Sequence, residues 1–305
     1  MYCQICNSKL IYYKWYDNHL FPKSANGIIK KLLPWFDFLI PDKFQILKKF
    51  SKANIFKGKV IVCKECGYGT METPPTQEAI KKYYEYNYWQ NFRERNVKPT
   101  THGDVYDYLQ DLRAGSQIFL VNSQFDLKNI MRTLEIGAGP AFASQLLRNR
   151  FKNISMYVCE PGTSWDRYYQ MRGLHRIANF FPFDTNETFD YIHTSHWLEH
   201  VLDLRKTIYA LYNVLNDGGC LFVEVPNTPE IYWELPIGDT PHIHFFTVQS
   251  LKAIFEEYHF SCHYIDIFGT RLGKTTQKPS YEQDSVTEGV WIRAIFHKPN
   301  QKHTR

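Results

Sequence analysis

The chain has 305 residues, 44% of them apolar, which is enough for one large or two modest domains with a sizeable core and excludes a disordered chain. Neither a run of about 18 apolar residues nor the apolar stretch of a secretory signal is present, so a cytoplasmic location is expected. The net charge of +5 is uneven, because residues 1–75 hold 12 Lys, no Arg and 5 acids while the remainder carries a slight acidic excess. A body that neutralised many phosphates would bring its own basic face, so nucleic acid is disfavoured as a partner.

Cys3-x-x-Cys6 opens the chain, and Cys63-x-x-Cys66 follows with 56 residues between the pairs. Thiolates at this spacing lie on one tight knuckle, and two knuckles supply the four ligands of a closed tetrahedral zinc site. Such a metal folds the chain and does no chemistry, since no position is left for a reacting water. The other reading is unrelated thiols or a redox pair. Cys159, Cys220 and Cys262 fall in strand-like apolar runs and read as buried thiols. Between the pairs, residues 28–50 place Ile28, Ile29, Leu32, Leu33 and Phe36 at helical spacing, broken by Pro34 and Pro41. Lysines beside aromatics there suit a peripheral membrane contact or a cleft cover, or the apolar face packs on the main domain.

After Thr73-Pro74-Pro75, Thr76 can cap a helix carrying Ile80, Tyr83 and Tyr84, which then runs into Tyr86, Asn87, Tyr88 and Trp89. This stretch reads as the junction of a three-part chain: a zinc-binding domain at 1–75, a helical linker and lid at 76–130, and a main domain at 131–305. From about residue 130, short apolar runs alternate with amphipathic helices, as in a doubly wound α/β sheet. The strand candidates are MRTLEIG, MYVCE, FDYIHTS and CLFVEV. Ile208, Leu211, Tyr212 and Leu215 mark one helix face, with Asp217-Gly218-Gly219 as its stop. A later helix starts at Thr247, and CHYIDIFGT and VWIRAIFHK read as two final strands, in an antiparallel arrangement.

The decisive stretch is Leu134-Glu135-Ile136-Gly137-Ala138-Gly139-Pro140-Ala141, an apolar strand ending in a glycine turn that opens a helix. Ala141 stands where a dinucleotide fold has its third glycine, and Glu135 at the strand end can meet a cationic amine. The next strand ends in Glu160-Pro161, where an acid can accept hydrogen bonds from ribose hydroxyls. On these residues the chain resembles class I S-adenosylmethionine (SAM)-dependent methyltransferases. Glu135, Gly137, Ala138 and Gly139 look like that family's acidic glycine motif, and Glu160 is similar to its ribose acid. The run Ser195-His196-Trp197-Leu198-Glu199-His200-Val201 resembles the loop after the fourth strand, and Asp217-Gly218-Gly219 the turn into the fifth. The resemblance implies a Rossmann-like seven-stranded sheet with one antiparallel strand, preceded here by a small zinc-binding domain. SAM is then the cofactor, at the carboxyl ends of the strands. Ser195, His196 and Pro161 are expected beside it, Tyr88 and Trp89 (with Tyr84) over its methionine end, and the adenine near Asn179 to Phe181.

The cysteine pairs and Pro241-His242-Ile243-His244 are further similar to bacterial enzymes that methylate sugars and surface polysaccharides, in which a His-x-His motif contributes a base. Ile243 stands where an acid is usual, and the extra C-terminal domain of the C-methylating group is missing. O-methylation of a nucleotide sugar or polysaccharide precursor is therefore favoured over C-methylation. A hydroxyl must lose its proton as it attacks, which suits a histidine: His244 first, then His200, with His242 and His196 behind them. Each also has a plain structural reading, and Glu199 reads as a cap or ion-pair partner of the following helix. The rivals are an RNA methyltransferase whose zinc module grips nucleic acid, and an assembly partner that kept the fold without its cofactor. The sequence sets no oligomeric state.

Overall fold

The structure, a computed structural model, describes residues 2–9, 12–17, 57–88, 105–151, 153–234, 241–271 and 289–300. Trp89 and the whole 28–50 segment invoked for membrane contact lie outside the described residues. The N-terminal part contributes β1 (Tyr12–Asp17), β2 (Lys57–Val62) and β3 (Gly69–Met71). Then come α1 (Gln77–Lys82), a π-helical turn over Tyr83–Asn87, and the long α2 (Val105–Gln124). The main body follows as β4 (Arg132–Ile136), α3 (Phe142–Arg150), β5 (Ser155–Cys159), α4 (Asp166–Met171), β6 (His175–Ala178) and β7 (Phe189–Ser195). It continues with α5 (Leu204–Val214), β8 (Leu215–Pro226), β9 (His244–Phe245), α6 (Val248–Glu257), β10 (Ser261–Arg271) and β11 (Gly289–His297).

Seven of these strands form one sheet in the order β10-β11-β8-β7-β4-β5-β6. Strands β7, β4, β5, β6 and β8 pair in parallel, whereas β11 runs antiparallel to both β8 and β10. This is the Rossmann-like methyltransferase sheet that the sequence implied, with one reversed strand. The central strands read as unbroken apolar runs because helices cover both faces. Leu134, Ile136, Ile192, Leu221 and Val223 are buried against α5 and α6 on one side, and Met156, Val158, Tyr191 and Phe222 against α2 and α3 on the other.

Local chemistry sets the helix starts. Asp203 caps α5 by accepting from Lys206 N at 2.9 Å, and Leu204, Ile208 and Leu211 bury one stripe at the spacing of successive turns. Thr247 and Ser250 cap α6 reciprocally in a capping box. Two expectations are corrected. The fifth-strand helix stops at Val214, and Asp217-Gly218-Gly219 lies within β8, where Gly218 takes a left-handed conformation and donates to Lys298 O. Glu199 caps nothing, since Asp203 holds that position. Strand β6 was not identified because His175-Arg176-Ile177-Ala178 is a short, polar edge strand without an apolar run.

The cysteine knuckles sit at one end of a second sheet, ordered β1-β2-β3-β9. Its last strand belongs to the main body: Thr70 pairs with His244 and Gly69 with Phe245. Thr247 Oγ1 also donates to Cys66 O at 2.6 Å, and Arg205 Nε to Gln4 O at 3.1 Å. Gly67, at φ 70°, lies so close to Thr247 that a Cβ there would come within 2.4 Å of its Cγ2. The knuckles are thereby fastened to the segment that carries the His-x-His motif.

Candidate active site

The carboxyl ends of β4, β5 and β7 open into a cavity of about 830 Å³, the place where a doubly wound sheet accepts ligands. Gly137, Ala138 and Gly139 form its floor. Gly137 has φ 67°, and a Cβ there would lie 2.9 Å from the Trp197 side chain, so the turn requires glycine. Ala141, also left-handed at φ 56°, starts α3 in place of the third glycine. Glu135 is buried at the end of β4, where Oε2 accepts from Ser144 N at 2.8 Å. Burial pushes its carboxyl up to about 7, against the hydrogen bonds from Ser144. Glu160, at the tip of β5, accepts from Gly139 N at 2.9 Å through Oε2 and from Gly162 N at 3.1 Å through Oε1. A carboxylate has about four acceptor positions, so ribose hydroxyls can be added to these two bonds.

Pro161, Ser195 and His196 line the same cavity, as do Asn179, Phe180 and Phe181 on the side expected for adenine. Trp197 meets Phe181 edge to face at 5.8 Å between centroids. Tyr84 and Tyr88 approach from the π-helical turn after α1, with rings 5.2 Å apart. Sequence reasoning missed Arg113 and Gln117 of α2, which reach Ser195 Oγ at 2.8 and 3.0 Å. Arg113 Nε also donates to Glu224 at 2.7 Å, and Arg293 Nε to the other Glu224 oxygen at 2.6 Å. Burial alone would raise the Glu224 carboxyl, yet the two guanidiniums hold it well below the usual carboxylate range. No local spacing could reveal this network, because its members come from α2, β7, β8 and β11.

His196, His200 and His242 line this cavity, and His244 stands apart from them. His244 does not line the cavity. It is buried in β9, its Nδ1 is 2.6 Å from the Tyr68 hydroxyl, and burial lowers its pKa to about 4. Its ring is held against Tyr68 beside the cysteine knuckles. His200 and His242 do line the cavity, with ring centroids 5.1 Å apart. His200 Nδ1 lies 3.0 Å from Pro241 O, which fixes the proton there and turns Nε2 toward Glu199. Burial, with the charge of His200, lowers His242 to about 3.

Glu199 is the residue whose role the sequence understated. It is 1% exposed, and neither of its oxygens makes a well-aligned hydrogen bond. Oε1 lies 3.3 Å from His196 Nδ1, 3.6 Å from His200 Nε2 and 3.8 Å from His242 Nε2. Burial would raise its carboxyl, but the surrounding histidines, His200 foremost, pull it down to about 2. Ile243 N donates to Glu199 O at 2.8 Å and Met71 N to Ile243 O at 3.0 Å, so the His242 segment is pinned between this turn and β3. Glu199-His200 is visible as a pair in the sequence, but its enclosure depends on residues 241–243 arriving from elsewhere in the fold.

The four cysteines predicted as metal ligands come together. Cys3 Sγ lies 3.6 Å from Cys66 Sγ, Cys6 Sγ is 3.5 Å from Cys63 Sγ, and all four sulfurs fall within 4.8 Å of one another. Ligands about 2.3 Å from a tetrahedral zinc stand roughly 3.8 Å apart, so the donor set and its spacing fit that ion. Cys3 N donates to Ser8 O and Cys63 N to Tyr68 O, closing two matching knuckles.

The methyltransferase-domain family matches residues 85–265, more than half of the chain. The chain belongs to this family. It is a SAM-dependent methyltransferase. Solved structures similar to it include the N-methyltransferase NodS of Bradyrhizobium japonicum in complex with S-adenosylhomocysteine (15% identity over 70% of this chain and 100% of that one, TM-score 0.47). Another is a SAM-dependent methyltransferase of Clostridium acetobutylicum (10% identity, 70% and 96% coverage, TM-score 0.48). A third, from Thermotoga maritima, shares 15% identity with 69% and 97% coverage and a TM-score of 0.47. No curated protein matched. Among the described residues, no helix is long and apolar enough to cross a membrane.

Proposed function

We propose that this methyltransferase methylates a hydroxyl of a nucleotide sugar or surface-polysaccharide precursor. The observation that carries the reading is the set of His196, His200 and His242 lining the cavity that the glycine turn also lines, gathered around the buried Glu199 carboxylate. An oxygen nucleophile must shed a proton as it attacks, and this cluster supplies histidine nitrogens for it. SAM, when bound, supplies a methyl already activated on its sulfonium. Glu160 holds the ribose, Gly137 to Gly139 let the ligand approach the backbone, and Glu135 faces the amine of the methionine end. Tyr84 and Tyr88 close the site with aromatic faces that tolerate a cation. The acceptor oxygen takes the methyl, and its proton passes to the histidines around Glu199.

Cys3, Cys6, Cys63 and Cys66 hold a structural zinc. With four thiolates its coordination is closed, so its contribution is mechanical: it braces the segment that presents His242. The test of the whole reading is incubation with methyl-labelled SAM and a panel of nucleotide sugars, followed by mass spectrometry. Label on a sugar hydroxyl is the expected result. Label on RNA or on an amine, with none on any sugar, overturns the substrate class.

A further inference from the structure

We propose that Glu199, His200 and His242 bind one divalent first-row transition-metal cation on the acceptor side of the cavity, separate from the cysteine site. The proposal deepens the reading above and rests on the acceptor meeting this cluster. It starts from an oddity: a carboxylate withdrawn from water whose nearest partner is the His196 Nδ1 at 3.3 Å and whose oxygens make no well-aligned hydrogen bond. Buried charges are ordinarily paired or coordinate a metal. The nitrogens nearest Glu199 Oε1 among the three residues, 3.6 and 3.8 Å away, are too far to donate to it. Ligands about 2.0–2.1 Å from one ion stand roughly 3.0–3.4 Å apart, and the three donor atoms here already lie within 4.8 Å of one another, so an inward shift of these side chains would bring all three onto a shared cation.

Two further features suit ligation. His200 offers Nε2 while Nδ1 is tied to Pro241 O at 3.0 Å, the outer bond that fixes the ring of a metal-bound histidine. The main chain beside His242 is held by the β3 and Glu199 backbone bonds through Ile243, so the position from which its ring projects is set before any ligand arrives. Three protein ligands leave coordination positions facing the cavity, unlike the closed four-cysteine site. Imidazole and carboxylate donors together suit manganese, iron or zinc. With His200 and His242 engaged, His196 remains to receive the acceptor proton. The acceptor oxygen then forms its bond to the methyl carbon, and the electron pair of the broken carbon–sulfur bond stays on sulfur as a thioether.

The test is titration of the full chain with Mn²⁺, which avoids thiolate sites, followed by electron paramagnetic resonance. One ion per chain with nitrogen coupling from imidazole is expected, and Glu199→Gln and His242→Gln should each weaken binding at least tenfold. Circular dichroism checks that the variants fold. If either does not, His200→Asn takes its place with the same expected loss. No Mn²⁺ bound at millimolar concentration, binding without nitrogen coupling, or affinity unchanged in the variants would overturn the site. SAM binding on the same samples separates the two readings. A chain that binds SAM and transfers methyl but takes no Mn²⁺ loses only the metal. One that binds Mn²⁺ through these residues but methylates no hydroxyl keeps the metal and loses the substrate class.

Discussion

Glu160→Gln is the sharpest perturbation of the cofactor pocket. The carboxylate is 4% exposed, and its two oxygens already hold the backbone N–H groups of Gly139 and Gly162, so its position is set before any ligand arrives. A ribose would add hydroxyl donors to a charged acceptor, and a hydrogen bond to a charged group contributes about 1.5–3 kcal/mol. Glutamine keeps one acceptor oxygen, but its amide nitrogen must face either a ribose hydroxyl or one of the two glycine N–H groups. Losing one charged bond corresponds to roughly a 10- to 150-fold weaker dissociation constant for SAM or S-adenosylhomocysteine. Isothermal calorimetry on wild type and variant measures it, with circular dichroism as the folding control. A folded Glu160→Gln protein that binds within twofold of wild type would refute the assignment of this carboxylate to the ribose.

The remaining expectations concern the other ends of the site. Glu135 ionises near 7 in the fold against an ordinary 4.5, so its contribution to stability is full below about 4.5 and is lost as pH rises through 7. The loss is about 3 kcal/mol at most by that difference; Glu135→Gln should flatten this part of the pH–stability curve, and an unchanged slope would contradict the burial argument. His244→Gln should lower the melting temperature by removing the bond to the Tyr68 hydroxyl, at a cost of about 1–3 kcal/mol, while SAM affinity stays as in wild type. A folded variant with weakened SAM binding would place His244 nearer the pocket than its geometry does. Metal analysis should find about one zinc per chain held by thiolates, and Cys63→Ser should lose it together with methyl transfer; full activity without zinc would remove its bracing role.

The parallel core was legible because β4, β5, β7 and β8 are apolar runs that end in the residues a nucleoside needs: Glu135 with the glycine turn, and Glu160. The cysteine pairs were legible because ligand spacing is local within each knuckle. The acceptor wall was less so. His242 and His244 are two residues apart, so a straight strand would put them on one face; the bend at Ile243 just before β9 turns them to different sides, His242 toward Glu199 and His244 toward Tyr68. Only the pairing of β9 with β3 decides which side is the cavity. Glu199 and Arg113 have roles that depend on distant segments closing around them, and no periodicity encodes that closure.

A crystal structure of the chain with S-adenosylhomocysteine tests the central claim most directly. The account predicts the ribose hydroxyls on Glu160, the adenine beside Asn179 to Phe181, and the sulfur directed toward Glu199, His200 and His242. Ligand density outside this cavity, or a cavity left unfilled at saturating ligand, would contradict it.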